Sequence, residues 1–341
     1  MDGHVAGSLL EFAKRTAPGL DGLDRTALFA QLEERHDDLL AAMRWFLGHA
    51  RTGQAIQLAS ELARFWTASG RLEEGSQCFE LVLAAPGGAD ANRGRACFEA
   101  GLVEFWRGGD DRALAFHRQA LEIGRQIGEA TVTACALTGL ARIALRSNQV
   151  GEAQRLCREA LAVAESADDP AGRAHALHVL GVAAQMSGEL GEAREFMNQR
   201  MALARELGQY GGIAAEAANL AMVEHQLGNL DQADALAREA LEIARKREDE
   251  WMFPYLLSRL AAGAAQRGDL KHAATLIGAA EAMMTAQGAA WPPDERPHYE
   301  QTITALTSAM AKADFEEARL EGRNLPVREA VKAALTGSRA G

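Results

Sequence analysis

The chain of 341 residues is 48% hydrophobic, 24% charged and only 6% aromatic, an alanine-rich, helix-forming balance with few strand formers. Its net charge of -11 argues against non-specific nucleic-acid binding or an anionic membrane surface, since both need a basic field. There is no apolar run near the roughly 18 residues that span a bilayer, no charged-then-apolar signal-peptide order, and no CxxC among the single cysteines Cys78, Cys97, Cys135 and Cys157, so a reducing cytoplasm is expected, without disulfides or a zinc site.

Residues 1–50 predict an N-terminal helical cap. A short helix from His4 to Thr16 stops at Pro18 and Gly19, and one or two more helices between Asp24 and His49 carry Leu28, Leu32, Leu39, Leu40 and Met43 inside. Residues 51–89 predict a degenerate helical pair, Ala55 to Ser69 and Leu72 to Ala84, turned at Gly70 and separated from the first regular repeat by Pro86, Gly87 and Gly88.

Residues 90–289 hold five copies of a 40-residue unit, cleanest from Gly211 to Glu250. A small residue recurs at Gly101, Ala141, Gly181, Ala221 and Ala261, each after an apolar one; a turn residue recurs at Gly108, Asn148, Gly188, Gly228 and Gly268. An unbroken alanine column runs through Ala113, Ala153, Ala193, Ala233 and Ala273, then a second through Ala120, Ala160, Ala240 and Ala280, with Arg200 as the exception. Each unit reads as two helices meeting at the turn residue, because Gly or Asn tolerates the left-handed conformation that ends a helix. Small residues on the facing sides let the two backbones approach, and Leu220, Leu236 and Leu241 supply an apolar stripe at helical spacing. One hairpin cannot bury its own apolar face, so copies stack into a solenoid. Joints between copies are expected near Gly128, Asp168 to Pro170, Gly208 and Glu248, with Pro170 at a helix start where its missing donor costs nothing. Residues 290–341 predict a C-terminal helical cap and tail: a Trp291-Pro292-Pro293 turn after Gly288, a helix from about Glu295 to Ala311, and shorter ones to Leu335.

The spacing of Gly181, Gly188 and Ala193, and of Ala221, Gly228, Ala233 and Ala240, resembles the tetratricopeptide repeat, although the period is longer than the 34 residues of its common form. The implied fold is an all-α, right-handed α-α solenoid of tetratricopeptide-like hairpins. The runs LEERHDDLLAAMRWFLGHA (Leu32 to Ala50) and ELARFWTASGRLEEG (Glu61 to Gly75) look like the segment that comes after the nucleotide-binding module in bacterial STAND-type ATPases, among them LuxR-type and SARP-type transcription regulators. LIGAAEAMMTAQGAAWPPDERPHYE (Leu276 to Glu300) and DFEEARLEGRNLPVREAVKAAL (Asp314 to Leu335) look like the closing segment of the same arrays. Two positions depart from that pattern: Arg319 and Cys78 stand where relatives often carry tryptophan. The GxxxxGK[ST] phosphate loop of the ATPase is absent, as is a helix-turn-helix segment after Leu335. Two arrangements stay open: a sensor region of a longer regulator, or a free-standing relative that has only the repeats.

In tetratricopeptide arrays the first helix of each pair lines the concave face. Transferred to this register, the groove residues are Arg95, Phe98, Phe105 and Trp106; Cys135, Arg142 and Arg146; His175, His178 and Gln185; Asn219, Met222 and His225; and Tyr255 and Arg259. This mixed lining suits an extended peptide or a medium-sized ligand with apolar and anionic parts. Arg142 and Arg146, one turn apart, could grip one carboxylate or phosphate bidentately, or form an ordinary solvated face. Peptide-binding relatives often use an asparagine just before the apolar-small pair to clamp peptide backbone, and Asn219 precedes Leu220 and Ala221 in that way; its amide donates and accepts at once. His175 and His178 lie three apart, with His225 expected to face them, but no carboxylate is spaced to complete a metal site. Trp66, Trp106 and Trp251 read as packing aromatics at repeat joints. No nucleophile elbow, meaningful Cys-His spacing or forced acidic pair supports catalysis, and no cofactor is expected. The expected function is a ligand- or protein-binding module, the sensor part of a bacterial signalling or transcription regulator whose partners include an ATPase or DNA-binding module of the same system. A free-standing scaffold is the first alternative, and an enzyme or accessory protein acting on a small molecule in the groove is the second.

Overall fold

The computed structural model describes residues 1–287, 289–291 and 295–337; the turn expected at Gly288, Pro292 and Pro293 lies outside them. Among the described residues there are eighteen α-helices and no strand. The chain packs as two compact units, Met1–Gly208 and Gln209–Gly341.

The N-terminal unit opens with α1 (Gly3–Thr16), whose Asp2 carboxylate accepts from the His4 and Val5 amides at 2.9 Å, and continues into a 3-10 turn at Ala17–Asp21 that contains Pro18. The segment expected as one or two helices divides at Arg35 into α2 (Arg25–Glu34) and α3 (His36–Gly48). Four hairpins come next: α4 (Thr52–Ala68) with α5 (Leu72–Ala84), α6 (Ala91–Arg107) with α7 (Asp110–Ile127), α8 (Ala130–Arg146) with α9 (Val150–Ser166), and α10 (Pro170–Met186) with α11 (Leu190–Glu206). α1 and α3 share one core with α4 to α6, built on Leu9, Phe12, Leu39, Phe46, Leu62, Phe65 and Phe79, and Trp66 is fully buried within it. Half-buried Cys78 packs on the same core, which pushes its thiol up to about 11.

Inside the repeats, the hairpin turns at Gly108, Asn148 and Gly188 all take positive φ, as do the joints at Gly128, Asp168 and Gly208. Each hairpin turn closes with paired bonds, for example from the Gly108 amide to the Phe105 carbonyl at 3.0 Å and from the Gly109 amide to the Glu104 carbonyl at 2.9 Å. The first helices α4, α6, α8 and α10 pack closely on one another, whereas the second helices pack chiefly on the first helices beside them, so this unit curves toward its first-helix face. Residue size is matched across each pair. Gly101 faces the His117 ring and Gly181 faces Met197, and a Cβ at either glycine would collide with that side chain. Where the second helix carries the smaller Cys157, the first has Ala141. Arg200, the exception in the alanine column, is only 8% exposed.

The C-terminal unit contains the hairpins α12 (Tyr210–Gln226) with α13 (Leu230–Arg247) and α14 (Phe253–Gln266) with α15 (Leu270–Ala286), turned at Gly228 and Gly268. α16 (Arg296–Ala309) extends the first-helix layer beside α14, α17 (Lys312–Arg323) crosses α15, and α18 (Val327–Thr336) returns against α13, α14 and α15. The α15–α17 crossing is very close: a Cβ on Gly278 would run into the Arg319 carbonyl, and one on Gly322 into that of Thr275. Arg238 ties α18 down by donating to the carbonyls of Ala334 (2.6 Å) and Gly337 (2.9 Å).

Candidate functional site

In the N-terminal unit most groove positions are held by contacts within the protein. Arg95 donates to both oxygens of Glu61, at 2.8 and 3.4 Å. Phe98, 6% exposed, is stacked with His175 at 6.0 Å between ring centroids and tilted against His117 at 5.6 Å. A ring of α10 thus lies against one of α6 across α8. Cys135 lies beneath, its sulfur 3.7 Å from Nδ1 of His175. Burial pushes this thiol far up and His175 down to about 3, so the pair is neutral near pH 7 and is no thiolate–imidazolium dyad. Arg146 stacks 3.5 Å over the Phe105 ring and donates to the Phe105 carbonyl (2.8 Å) and to Asp110 (2.6 Å). It is therefore already committed, while Arg142 sits half-buried one turn earlier. His178 and Gln185 are half-buried on α10. Trp106 is 55% exposed, with only its edge contact to Phe105 at 5.3 Å, and Trp251 of the other unit is 58% exposed; neither packs into a joint, while Trp66 does.

In the C-terminal unit the named first-helix residues are half-buried or buried. Asn219 and Met222 lie half-buried on α12, and the Asn219 amide has no hydrogen bond within the protein among the described residues. His225 faces His298 of α16, the two rings nearly perpendicular with centroids 5.1 Å apart, and lies 3.0 Å from the Gln266 amide. Burial lowers the pKa of both histidines, that of His298 to about 4. Arg259, 7% exposed, is paired with Glu295 at 2.5 Å and so belongs to the interior. Tyr255 stands in a row of aromatic rings, 6.4 Å from Trp251 and 5.7 Å from Trp291, which itself stacks on Tyr299 at 4.5 Å. The Tyr299 hydroxyl donates to Glu281 (2.5 Å), a carboxylate also gripped by Arg319 and Arg323. His298, Glu281 and the joining of Tyr255 and Trp251 to Trp291 and Tyr299 escape sequence reading because partners such as Tyr299 for Glu281 and His225 for His298 lie 18 and 73 positions away and keep to no repeat register. Among the described residues no cluster of three or more His, Cys, Asp or Glu is arranged to hold a metal ion, and no helix is long and apolar enough to cross a membrane.

Comparison with known proteins agrees with this architecture. Family models described as tetratricopeptide repeat match residues 94–166, 132–206 and 217–247. A Mycobacterium tuberculosis protein named as an HTH-type transcriptional regulator is 29% identical over 124 residues, which is 34% of this chain and 14% of that one; the Mycobacterium bovis counterpart matches equally. The chain therefore spans a small part of the length of these relatives. Among solved structures, the STAND protein with a tetratricopeptide repeat sensor from Pyrococcus horikoshii aligns at a TM-score of 0.58 and 13% identity, over 90% of this chain and 47% of that one. Cut9–Hcn1 of the APC/C aligns at 0.61 and 14%, over 89% and 57%. A Rap protein complexed with Competence and Sporulation Factor aligns at 0.55 and 13%, over 96% and 94%. Hairpin geometry, turn chemistry and family models converge: the hairpins within residues 94–206 and 217–247 are tetratricopeptide repeats, and the chain is similar in fold to part of a STAND protein with a tetratricopeptide repeat sensor.

Proposed function

We propose that this chain is the partner-binding sensor part of a bacterial regulator, and that the first-helix face of its C-terminal unit clamps the backbone of an extended peptide. One observation carries the reading. Half-buried Asn219 lies on the first helix of its repeat, the helix that lines the concave face in tetratricopeptide arrays, and its amide has no hydrogen bond among the described residues, so its donor and acceptor can both serve a peptide bond. In the N-terminal unit two charged groove residues at other positions of the repeat, Arg95 and Arg146, are already bonded to Glu61 and Asp110, which leaves them less to offer. The STAND protein with a repeat sensor and the Rap protein in its complex lend the fold-level precedent, and the regulators related by sequence lend the signalling context. A scaffold reading draws on Trp106 and Met186, exposed by 55% and 48% on α6 and α10.

The test is native mass spectrometry of the chain purified from its host. A co-purifying peptide mass that disappears in Asn219→Ala is expected. A mass that persists in that variant sinks the clamp, and a clean apo mass accompanied by a protein partner moves the assignment to the scaffold.

A further inference from the structure

In the C-terminal unit α12, α14 and α16 leave a cleft of about 250 Å³, to which the expected groove contributes His225. The helices meet here through alanines: Ala262 and Ala265 of α14 and Ala305 of α16 line the cleft, where leucines would fill it. His225, His298 and Gln266 line it as well.

Three properties limit what can enter. The volume falls below the roughly 300–1,000 Å³ of sites for whole small molecules, so the cleft suits one side chain. None of its lining residues is Asp, Glu, Lys or Arg, and a charged group placed there would lose water without gaining a counter-ion. The imidazoles, uncharged at neutral pH because burial lowers both pKa values, meet at 85°. That corner lets a third ring lie flat on one and edge-on to the other, the two arrangements aromatic pairs favour. The 3.0 Å contact with Gln266 holds the His225 ring of this corner.

We infer that this cleft is a pocket for one aromatic side chain of the bound polypeptide, the specificity element beside a sequence-blind backbone clamp. The inference rests on the peptide-binding reading, since it supposes a polypeptide on this face.

The full chain would be titrated with N-acetyl-phenylalaninamide and N-acetyl-leucinamide while the ring resonances of His225 and His298 are monitored by NMR. The expected result is saturable shifts with the aromatic amide, affinity at least about five-fold higher than for the leucine amide (on the order of 1 kcal/mol), and loss of both in Ala305→Leu. Ala305 is exposed and leucine is a good helix former, so that variant fills the cleft without threatening the fold. Absent shifts, equal affinities, or shifts that survive Ala305→Leu overturn the pocket. The shifts are read at the rings of His225 and His298 and so report on the cleft, whatever becomes of Asn219. If the amides bind while the co-purified mass survives Asn219→Ala, the clamp fails and the pocket stands; if they fail while that mass is lost, only the pocket falls.

Discussion

His117 is fully buried between Gly101 and Gly139, close to the ring of Phe98, and neither of its nitrogens has a hydrogen-bond partner. Burial, reinforced by Arg142, lowers its pKa to about 3. Above pH 6.5 it is neutral in both folded and unfolded chains and contributes no pH dependence. Below that, the unfolded chain takes up a proton that the folded one refuses, so stability falls by about 1.4 kcal/mol per pH unit until about pH 3. Denaturant unfolding at pH 7 and pH 5 should show a loss of about 2 kcal/mol from this residue, and His117→Met should lose that much less. Methionine is a fair replacement because Met197 already fills the equivalent gap opposite Gly181. The Arg319 guanidinium chelates Glu281, with one terminal nitrogen 2.7 Å from Oε1 and Nε 2.9 Å from Oε2. Burial raises the Glu281 pKa, but hydrogen bonds from Arg319, Tyr299 and Arg323 outweigh it and the net shift is downward. Glu281→Ala would leave Arg319 beside apolar helix surface and should lower stability by about 2–4 kcal/mol in thermal or urea unfolding, at pH 7 but much less below the carboxylate's pKa.

Among the helices, the hairpins between α6 and α15 arise from local chemistry, because a 40-residue period and a residue that tolerates positive φ suffice to place each turn. The close crossing of α15 and α17 does not. Gly278 and Gly322 lie 44 positions apart in the chain, and only their backbone contacts with Arg319 and Thr275 explain why each must be glycine. Gly278→Ala should separate the two helices and cost more than about 3 kcal/mol, or prevent the C-terminal unit from folding. Gly151 in α9 has open space around it, and Gly151→Ala should instead raise stability by up to about 1 kcal/mol. Thermal unfolding of the two variants side by side checks the contrast, since a general intolerance of alanine would lower both.

The whole chain divides after Gly208, within the run of regular repeats, and each compact unit has its own buried core. Residues 1–208 include the large N-terminal core around Phe46, Phe65, Trp66 and Phe79. Expressed alone, this piece should keep a fully helical far-UV spectrum and unfold in a single cooperative urea transition; a gradual loss of helix would show that its core needs the rest of the chain.

What could be read from the chain alone was whatever depends on neighbours within one hairpin: helix class, turn positions, and the columns of alanine and glycine. Those features are legible because capping, left-handed turns and 3.6-residue periodicity act over a few residues. The first-helix residues were named by the same rule, but whether a named residue is available is a long-range question. Phe98 meets His175 at a separation of 77 positions, Arg146 meets Asp110 at 36, and His225 meets His298 at 73. Asn219 and Arg259 occupy equivalent places in their repeats, yet among the described residues the amide of one has no hydrogen bond and the other is buried on Glu295. Nothing within either hairpin distinguishes them; the helix that packs next does, because burial and pairing are set by what that helix brings.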